Sequence, residues 1–322
     1  MITKLRIATR NSPLALWQAR YIAQQLSQHS PDLDIELVPM TTSGDRFLDH
    51  QTAPQGGKGL FVKEIEEALL QNRADIAVHS MKDVPAIQPD GLGIVAISQR
   101  ENPYDAFVSQ HYATLADLPF QASVGTSSIR RQSQLLAYRP DLKMISLRGN
   151  IQTRLTKIST IPCDAIILAA AGLLRMDLQD QIQEIIPEDL MLPACGQGAL
   201  GIECRLDDQP IRAFIEALND PLTALCVNTE RQVNAILGGH CHVPLAVSCR
   251  IRRPEERPVS GDSSLCSEGD QLILQAKVLS ADGTIVLSGS STGPQKQASH
   301  LAQDCTQQLL AQGARQLLHC AS

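Results

Sequence analysis

The sequence of 322 residues predicts an α/β protein of two blocks followed by a smaller α+β block. Three observations carry this. In the first two-thirds, short apolar runs alternate with helical patterns, the rhythm of βαβ units around mixed, mostly parallel sheets. After Asn219-Asp220-Pro221 the rhythm gives way to a helix, a hairpin and a closing helix. The composition, 43 % hydrophobic and 19 % charged, is globular and supplies several cores.

Leu5–Ala8 reads as the first strand, and Ser12-Pro13 as an N-cap with proline at the first helical position. Leu14, Trp17, Tyr21, Ile22 and Leu26 then follow at helical spacing. Ile35–Met40 is the next strand, followed by a Gly-rich stretch, Gln55–Gly59, read as a mobile flap. A helix with Phe61, Ile65, Ala68 and Leu69 on one face leads to the buried strand Asp75–Val78, which runs into His79-Ser80-Met81-Lys82-Asp83. The second block starts near Asn102-Pro103. It holds strand Ser123-Val124, a helix from Thr126, strand Met144–Leu147, a helix from Asn150 and strand Ala165–Ala169. The third block has a helix after Pro221, the segment Gly238–Pro244 and a polar loop Arg250–Asp270. A hairpin, Gln271–Ser280 with Thr284–Ser288, turns at Asp282-Gly283, and a helix Ser299–Leu318 closes the chain.

Composition also bounds function. Aromatic residues are 3 %, too few for a base-stacking surface, and the net charge of −6 argues against a general polyanion binder, so no nucleic-acid partner is expected. Yet the basic residues are 20 Arg and 8 Lys, a skew towards the planar fork that grips carboxylates. A local anionic ligand fits this balance. Nine cysteines between Cys163 and Cys320, with no C-x-x-C pair, suit a reducing compartment. Met1–Arg10 carries early charges and no signal-peptide core, and the longest uncharged apolar run, Ala165–Leu174, is about half of a membrane span. The expectation is a cytoplasmic protein with no membrane partner.

The arginines sit where strands end. Gly125–Arg131 joins a strand to a helix, so Arg130 and Arg131 fall in a first helical turn, beside the hydroxyls of Thr126, Ser127 and Ser128. Cations are mildly unfavourable there unless an anion is the missing partner. Arg148 follows the next strand with Arg154 one turn on, Arg175 follows Ala165–Ala169, and Arg10 follows the first strand, two residues before Ser12. Ligands of open α/β sheets bind at the carboxyl ends of strands, so these arginines can converge on one crevice; the alternative is a set of solvated surface arginines. Lys82-Asp83 closes a strand in the same way: Asp83 can hold a developing cation or a ring N–H, or the two can form a surface ion pair. The segment Gly238-Gly239-His240-Cys241-His242 admits a reactive thiolate, a metal pair or an inert buried cysteine. No second Cys/His cluster completes a metal site, and no metal is expected. Gly196–Gly201 matches G-x-G-x-x-G without the strand before and helix after that a dinucleotide site requires. Gly57-Lys58 fails as a phosphate loop, because Thr52 and Gly59 occupy key positions.

Leu5–Ala15, Gly56–Val62, Ala74–Pro85, Gly125–Arg131, Leu147–Asn150 and Gly196–Glu203 together resemble the porphobilinogen deaminase family, also called hydroxymethylbilane synthases, collinearly from Leu5 to about Pro244. The resemblance implies two α/β domains like the lobes of periplasmic binding proteins, residues 1–98 plus 199–216 and residues 104–192, and a C-terminal α+β domain, residues 222–322. It implies a transferase of haem biosynthesis that condenses four porphobilinogen units head to tail with loss of ammonia, then hydrolyses the chain to hydroxymethylbilane. The implied cofactor is a dipyrromethane attached through a thioether to Cys241; His240 replaces the second glycine of the family's Gly-Gly-Cys-x-x-Pro pattern. Asp83 matches the catalytic aspartate. Lys82, Asp83, Thr126, Ser127, Ser128, Arg130, Arg131, Arg148, Gly149 and Gly172 are implied to hold the cofactor. Arg10, Ser12, Gln18, Arg148, Asn150, Arg154, Arg175 and Gln197 are implied to hold substrate. A monomer is expected.

Overall fold

The computed structural model describes residues 2–48, 61–238, 243–253 and 270–320. The chain opens with β1 (Lys4–Arg10), α1 (Pro13–His29), β2 (Asp34–Met40), α2 (Ser43–Leu48), α3 (Lys63–Leu70), β3 (Ile76–Ser80) and β4 (Leu92–Ile97). It continues through β5 (Asp105–Val108), β6 (Ser123–Gly125), α4 (Ile129–Tyr138), β7 (Lys143–Ile145), α5 (Ile151–Ile158), β8 (Ala165–Ala169), α6 (Ala170–Arg175) and β9 (Glu184–Ile185). Then come β10 (Leu200–Arg205), α7 (Gln209–Ile215), α8 (Pro221–Leu237), β11 (Leu245–Arg252), β12 (Gln271–Leu279), β13 (Val286–Pro294), α9 (Ala298–Ala311) and α10 (Ala314–Cys320).

The strands form three sheets, ordered β2-β1-β3-β10-β4, β7-β6-β8-β5-β9 and β11-β12-β13. In the first, β1 pairs in parallel with β2 and β3, whereas β10 runs antiparallel to β3 and β4. The second repeats the scheme: β6 is parallel to β7 and β8, and β5 is antiparallel to β8 and β9. The sheets are mixed, as expected, with as many antiparallel as parallel pairings. The third sheet is wholly antiparallel.

Local chemistry explains the elements. The Ser12 hydroxyl accepts the Ala15 N–H at 3.3 Å and Pro13 opens α1. Ala19, Ile22 and Leu26 of α1 then pack on Leu5 and Ile7 of β1, each large side chain contributing about 2 kcal/mol by leaving water. Asp220 caps α8 through the Thr223 N–H at 2.7 Å, and Gly238, at φ +66°, ends it in the left-handed region. The third sheet buries Val247, Leu272, Leu274 and Val278 against Val233, Leu301 and Leu309 of α8 and α9.

Several elements depart from the sequence reading. The helix expected from Thr126 starts at Ile129, because the Thr126 N–H still bonds strand β7 at Ile145 O and Ser128 keeps extended backbone angles. The strand expected at Met144–Leu147 is Lys143–Ile145. Phe61 precedes α3 rather than lying on its face. The closing helix is two helices, broken where Gly313 takes φ +95°. Arg250–Arg252 extend β11 instead of opening the polar loop. Most of that loop, and the Gly-rich stretch Gln55–Gly59, lie outside the described residues. Among the described residues no helix is long and apolar enough to cross a membrane.

Candidate active site

A cleft of about 660 Å³ lies where the first two sheets face each other. Its walls come mostly from the carboxyl ends of the parallel strands, as the open α/β rule requires, with the residues before the antiparallel β10 (Leu200–Arg205) joining them. Arg10 ends β1, and Lys82 and Asp83 follow β3. Arg148, Gly149 and Asn150 follow β7, Gly172 and Arg175 lie in α6 after β8, and Gln197 and Gly198 precede β10. Two helix N-termini open on it: α1 behind Ser12, and α5 behind Asn150, whose side chain accepts the Thr153 N–H at 2.8 Å.

The lining is strongly cationic. Arg10, Lys82, Arg131, Arg148, Arg154, Lys157 and Arg175 border the cleft against two acids, Asp45 and Asp83. Asp45 is already committed: it pairs with Arg10, which also lies 4.3 Å over the Phe61 ring. Behind the cleft, Asp105 is fully buried and takes Arg130 and Arg131 together, each at 2.8 Å, plus Gln197 Nε2 at 3.0 Å. The two guanidiniums hold the Asp105 carboxyl well below the usual carboxylate range, although burial alone pushes it up. One carboxylate thus serves two arginines, and a positive charge is left over. Burial pushes Arg154 and Arg175 down to about 10, Arg131 adding to the effect on Arg154. Guanidiniums so desolvated, with Asp83 and Glu101 offsetting the burial only in part and no ion pair among the described residues, are the signature of a site that an anionic ligand completes.

Lys82 and Asp83 are half-buried and make no ion pair or hydrogen bond with each other, which removes the surface-pair alternative. Burial, offset by Asp83 and reinforced by Arg131, pushes the Lys82 ammonium down to about 8. Gly149 sits at φ +118°, where a side chain is strained, and a Cβ on Gly172 would meet Ile151 Cδ1 at 2.8 Å. Gln18 is buried and donates to Ser80 Oγ at 2.9 Å.

Thirteen of the anticipated residues therefore share one cleft: Arg10, Ser12, Gln18, Lys82, Asp83, Arg131, Arg148, Gly149, Asn150, Arg154, Gly172, Arg175 and Gln197. Thr126, Ser127, Ser128 and Arg130 do not line it. Arg130 is buried on Leu192 O at 2.6 Å, and the buried Thr126 hydroxyl accepts the Ser128 N–H at 3.2 Å. Arg130, Arg131 and Arg175 are each 8 % exposed or less, which rules out solvated surface arginines for these three. Cys241, with His240 and His242, lies outside the described residues. Cys163, Cys195, Cys204, Cys226, Cys249 and Cys305 are all free, and burial pushes the thiols of Cys195 and Cys305 up to about 12, the behaviour of inert packing groups. Among the described residues, no group of three or more metal-ligating side chains is placed to hold an ion. Sequence reasoning missed Asp105, Phe61 and Lys157. Asp105 left one signal, an acid opening the fully buried strand Asp105–Val108.

Comparisons with known proteins bear on this geometry. Residues 5–213 match the family model "Porphobilinogen deaminase, dipyromethane cofactor binding domain", and residues 224–311 match "Porphobilinogen deaminase, C-terminal domain". A porphobilinogen deaminase of Legionella pneumophila is 54 % identical over 314 residues, covering 98 % of this chain and 97 % of the relative. One of Dichelobacter nodosus is 48 % identical over 318 residues, covering 99 % of each. Among solved structures, the methionine binding protein MetQ aligns with 74 % of this chain and 96 % of its own at 14 % identity and a TM-score of 0.45.

Proposed function

The chain belongs to the porphobilinogen deaminase family, and on that premise we propose which of its side chains carry the reaction. The enzyme is a transferase of haem biosynthesis. It condenses four porphobilinogen units head to tail with loss of ammonia on a dipyrromethane primer, then releases hydroxymethylbilane by hydrolysis. The observation that carries the residue assignment is the excess of cations over acids lining the cleft around Asp83. Each pyrrole brings an acetate and a propionate, so a growing chain adds two carboxylates per ring and meets the charge this cleft lacks.

The residues present fit the dipyrromethane. Arg154 and Arg175 are desolvated cations without an ion pair among the described residues, Arg131 shares its one carboxylate with Arg130, and the buried Gln197 Oε1 has no hydrogen-bond partner among the described residues, an acceptor suited to a pyrrole N–H. In our reading Lys82, Arg131 and Arg148 hold its carboxylates, with Thr126, Ser127, Ser128 and Arg130 shaping the helix end behind Arg131. Gly149 and Gly172 leave room for the rings. We assign the attachment to Cys241. When bound, the group supplies the nucleophilic pyrrole carbon. Arg10, Ser12, Gln18, Asn150, Arg154 and Arg175 orient the incoming substrate through its carboxylates. As its C–N bond breaks, the electron pair leaves with ammonia and positive charge spreads over the pyrrole. Asp83 faces that charge and stabilises it.

We also propose three domains, residues 1–98 plus 199–216, 104–192 and 222–322; the return of β10 to the first sheet supports the discontinuous one. A cytoplasmic monomer without a nucleic-acid partner completes the reading, the free cysteines suiting a reducing compartment.

Intact mass of the purified protein beside Cys241→Ala tests the assignment. An excess of two porphobilinogen units less two ammonias, absent from the variant, is the expected result. The same excess on the variant would place the attachment elsewhere. A second prediction concerns Lys82. With its ammonium at about 8, the charge is present below that pH and lost above it. KM for porphobilinogen is therefore expected to rise as pH passes about 8, and Lys82→Arg to remove that rise. A KM equally pH-dependent in both proteins would assign the effect to another group.

A further inference from the structure

A buried acid–base cluster stands one layer behind Asp83. His79 Nε2 lies 2.8 Å from Glu203 Oε2, linking β3 to β10 across the sheet, and the two side chains are 4 % and 1 % exposed. They occupy the face that also carries Ala77, under Ile65 and Leu69 of α3. Glu66 of α3 is buried there without a hydrogen bond among the described residues, and Glu203 Oε1 is likewise unpartnered. Burial and the Glu203 charge push the Glu66 carboxyl up to about 7, against a smaller opposing effect of His79. Arg231 of α8 also faces Glu203. Two carboxylates and an imidazole in an apolar layer cost stability that apolar side chains there would not.

A cavity of about 20 Å³ is bordered by both His79 and Asp83, and by Arg10, Gln18 and Ser80. That volume takes one water, and the polar lining supplies its partners. With Nε2 committed to Glu203, Nδ1 is the ring nitrogen left for this cavity; it has no partner among the described residues.

We propose that His79, held by Glu203, is a positioning residue for Asp83, passing protons through one cavity water between Asp83 and the buried Glu203–Glu66 pair. The inference rests on the role proposed above for Asp83. Each condensation replaces a ring C–H and a C–NH₃⁺ bond by one C–C bond, and so releases ammonia and one proton. A proton taken up by the Asp83 carboxylate passes to the water, which gives one of its own to Nδ1. Nε2–H then yields its proton to Glu203 Oε2. The imidazole changes tautomer and no bond between heavy atoms changes; the proton then returns by the same path, through the water and Asp83, to the released ammonia, which departs as ammonium, so that Glu203, the ring tautomer and the Asp83 charge are all restored for the next cycle.

The test uses the full, cofactor-loaded protein labelled with ¹⁵N in histidine, with the His79 ring signals assigned by their loss in His79→Gln. A parent ring protonated at Nε2, with a titration or ring shift that moves in Asp83→Asn, is expected; signals identical in the two proteins overturn the relay. In kinetics, His79→Gln and Glu203→Gln are expected to lower kcat at least about tenfold with KM within about twofold, and to move the acid limb of the pH profile. Gln at 79 can still donate to Glu203 but cannot carry a proton, so parent-like rates and profile in both variants overturn the proposal. Should either variant fail to fold, the comparison of parent with Asp83→Asn decides alone. If Asp83→Asn itself turns over normally, the role of Asp83 falls and the relay with it; an inactive Asp83→Asn beside unchanged His79 signals rejects the relay only.

Discussion

Asp83→Asn is expected to fold, keep its cofactor and lose about 10²- to 10⁴-fold in kcat. The side chain makes no hydrogen bond or ion pair among the described residues, so an amide of the same shape removes no structural partner. What it removes is negative charge, at a place where cations outnumber acids seven to two and the other acid, Asp45, is held by Arg10. The charge that develops as ammonia leaves would then meet Lys82, Arg131 and Arg154 with nothing to offset them. The same substitution removes the one neighbour that holds the Lys82 proton most strongly, so Lys82 titrates lower still and KM rises earlier with pH. Rates at pH 7 and at higher pH separate the two effects, with thermal melting and intact mass as controls for folding and loading. A kcat within about threefold of the parent would remove Asp83 from the chemistry.

That site was legible because each residue signals locally. Arginine directly after an apolar run, as at Arg10, Arg148 and Arg175, marks the strand ends where ligands of open sheets bind, and Arg131 in a first helical turn conflicts with the dipole unless an anion resolves it. Ser12-Pro13 and Asn150 announced the two helix ends by capping chemistry alone. Other features depend on pairings that no local pattern reports. Asp105 looks like a turn residue before Ala-Phe-Val; only the packing of α4 on the second sheet makes it the shared counter-ion of two arginines. His79, Glu66 and Glu203 come from three elements, and β10 reaches the first sheet only after the whole second block has been threaded. The antiparallel strands β4, β5 and β9 escaped for the same reason: β5 is short and fully buried, β4 is buried in pairs rather than alternately, and β9 has only two residues, so none shows an alternation to read. At Gly313 a single backbone conformation overrode continuous helical spacing.

Asp105→Asn is expected to cost about 3 to 5 kcal/mol of stability, far more than loss of one hydrogen bond, because it leaves Arg130 and Arg131 buried with no anion. Packing is nearly unchanged by this substitution, so charge is the cause. Arg131→Leu differs. It leaves Arg130 and Asp105 as a balanced pair and removes the guanidinium that borders the cleft, so stability falls less while cofactor loading and elongation fall more. Combining the two separates charge from packing: Asp105→Asn with Arg131→Leu buries one unpaired cation instead of two, and is expected to melt above Asp105→Asn alone. Losses that simply add would show that shape matters more than charge. The pH dependence has a definite sign. The folded-state pKa of Asp105 is depressed by the two guanidiniums, so its contribution is present above the unfolded carboxylate value of about 4 and is lost as pH falls below it. The gap between parent and Asp105→Asn should therefore be constant around neutrality and close only in acid. A gap that closes near neutral pH would point to another titrating group, and the buried Glu66 at about 7 is the first to examine.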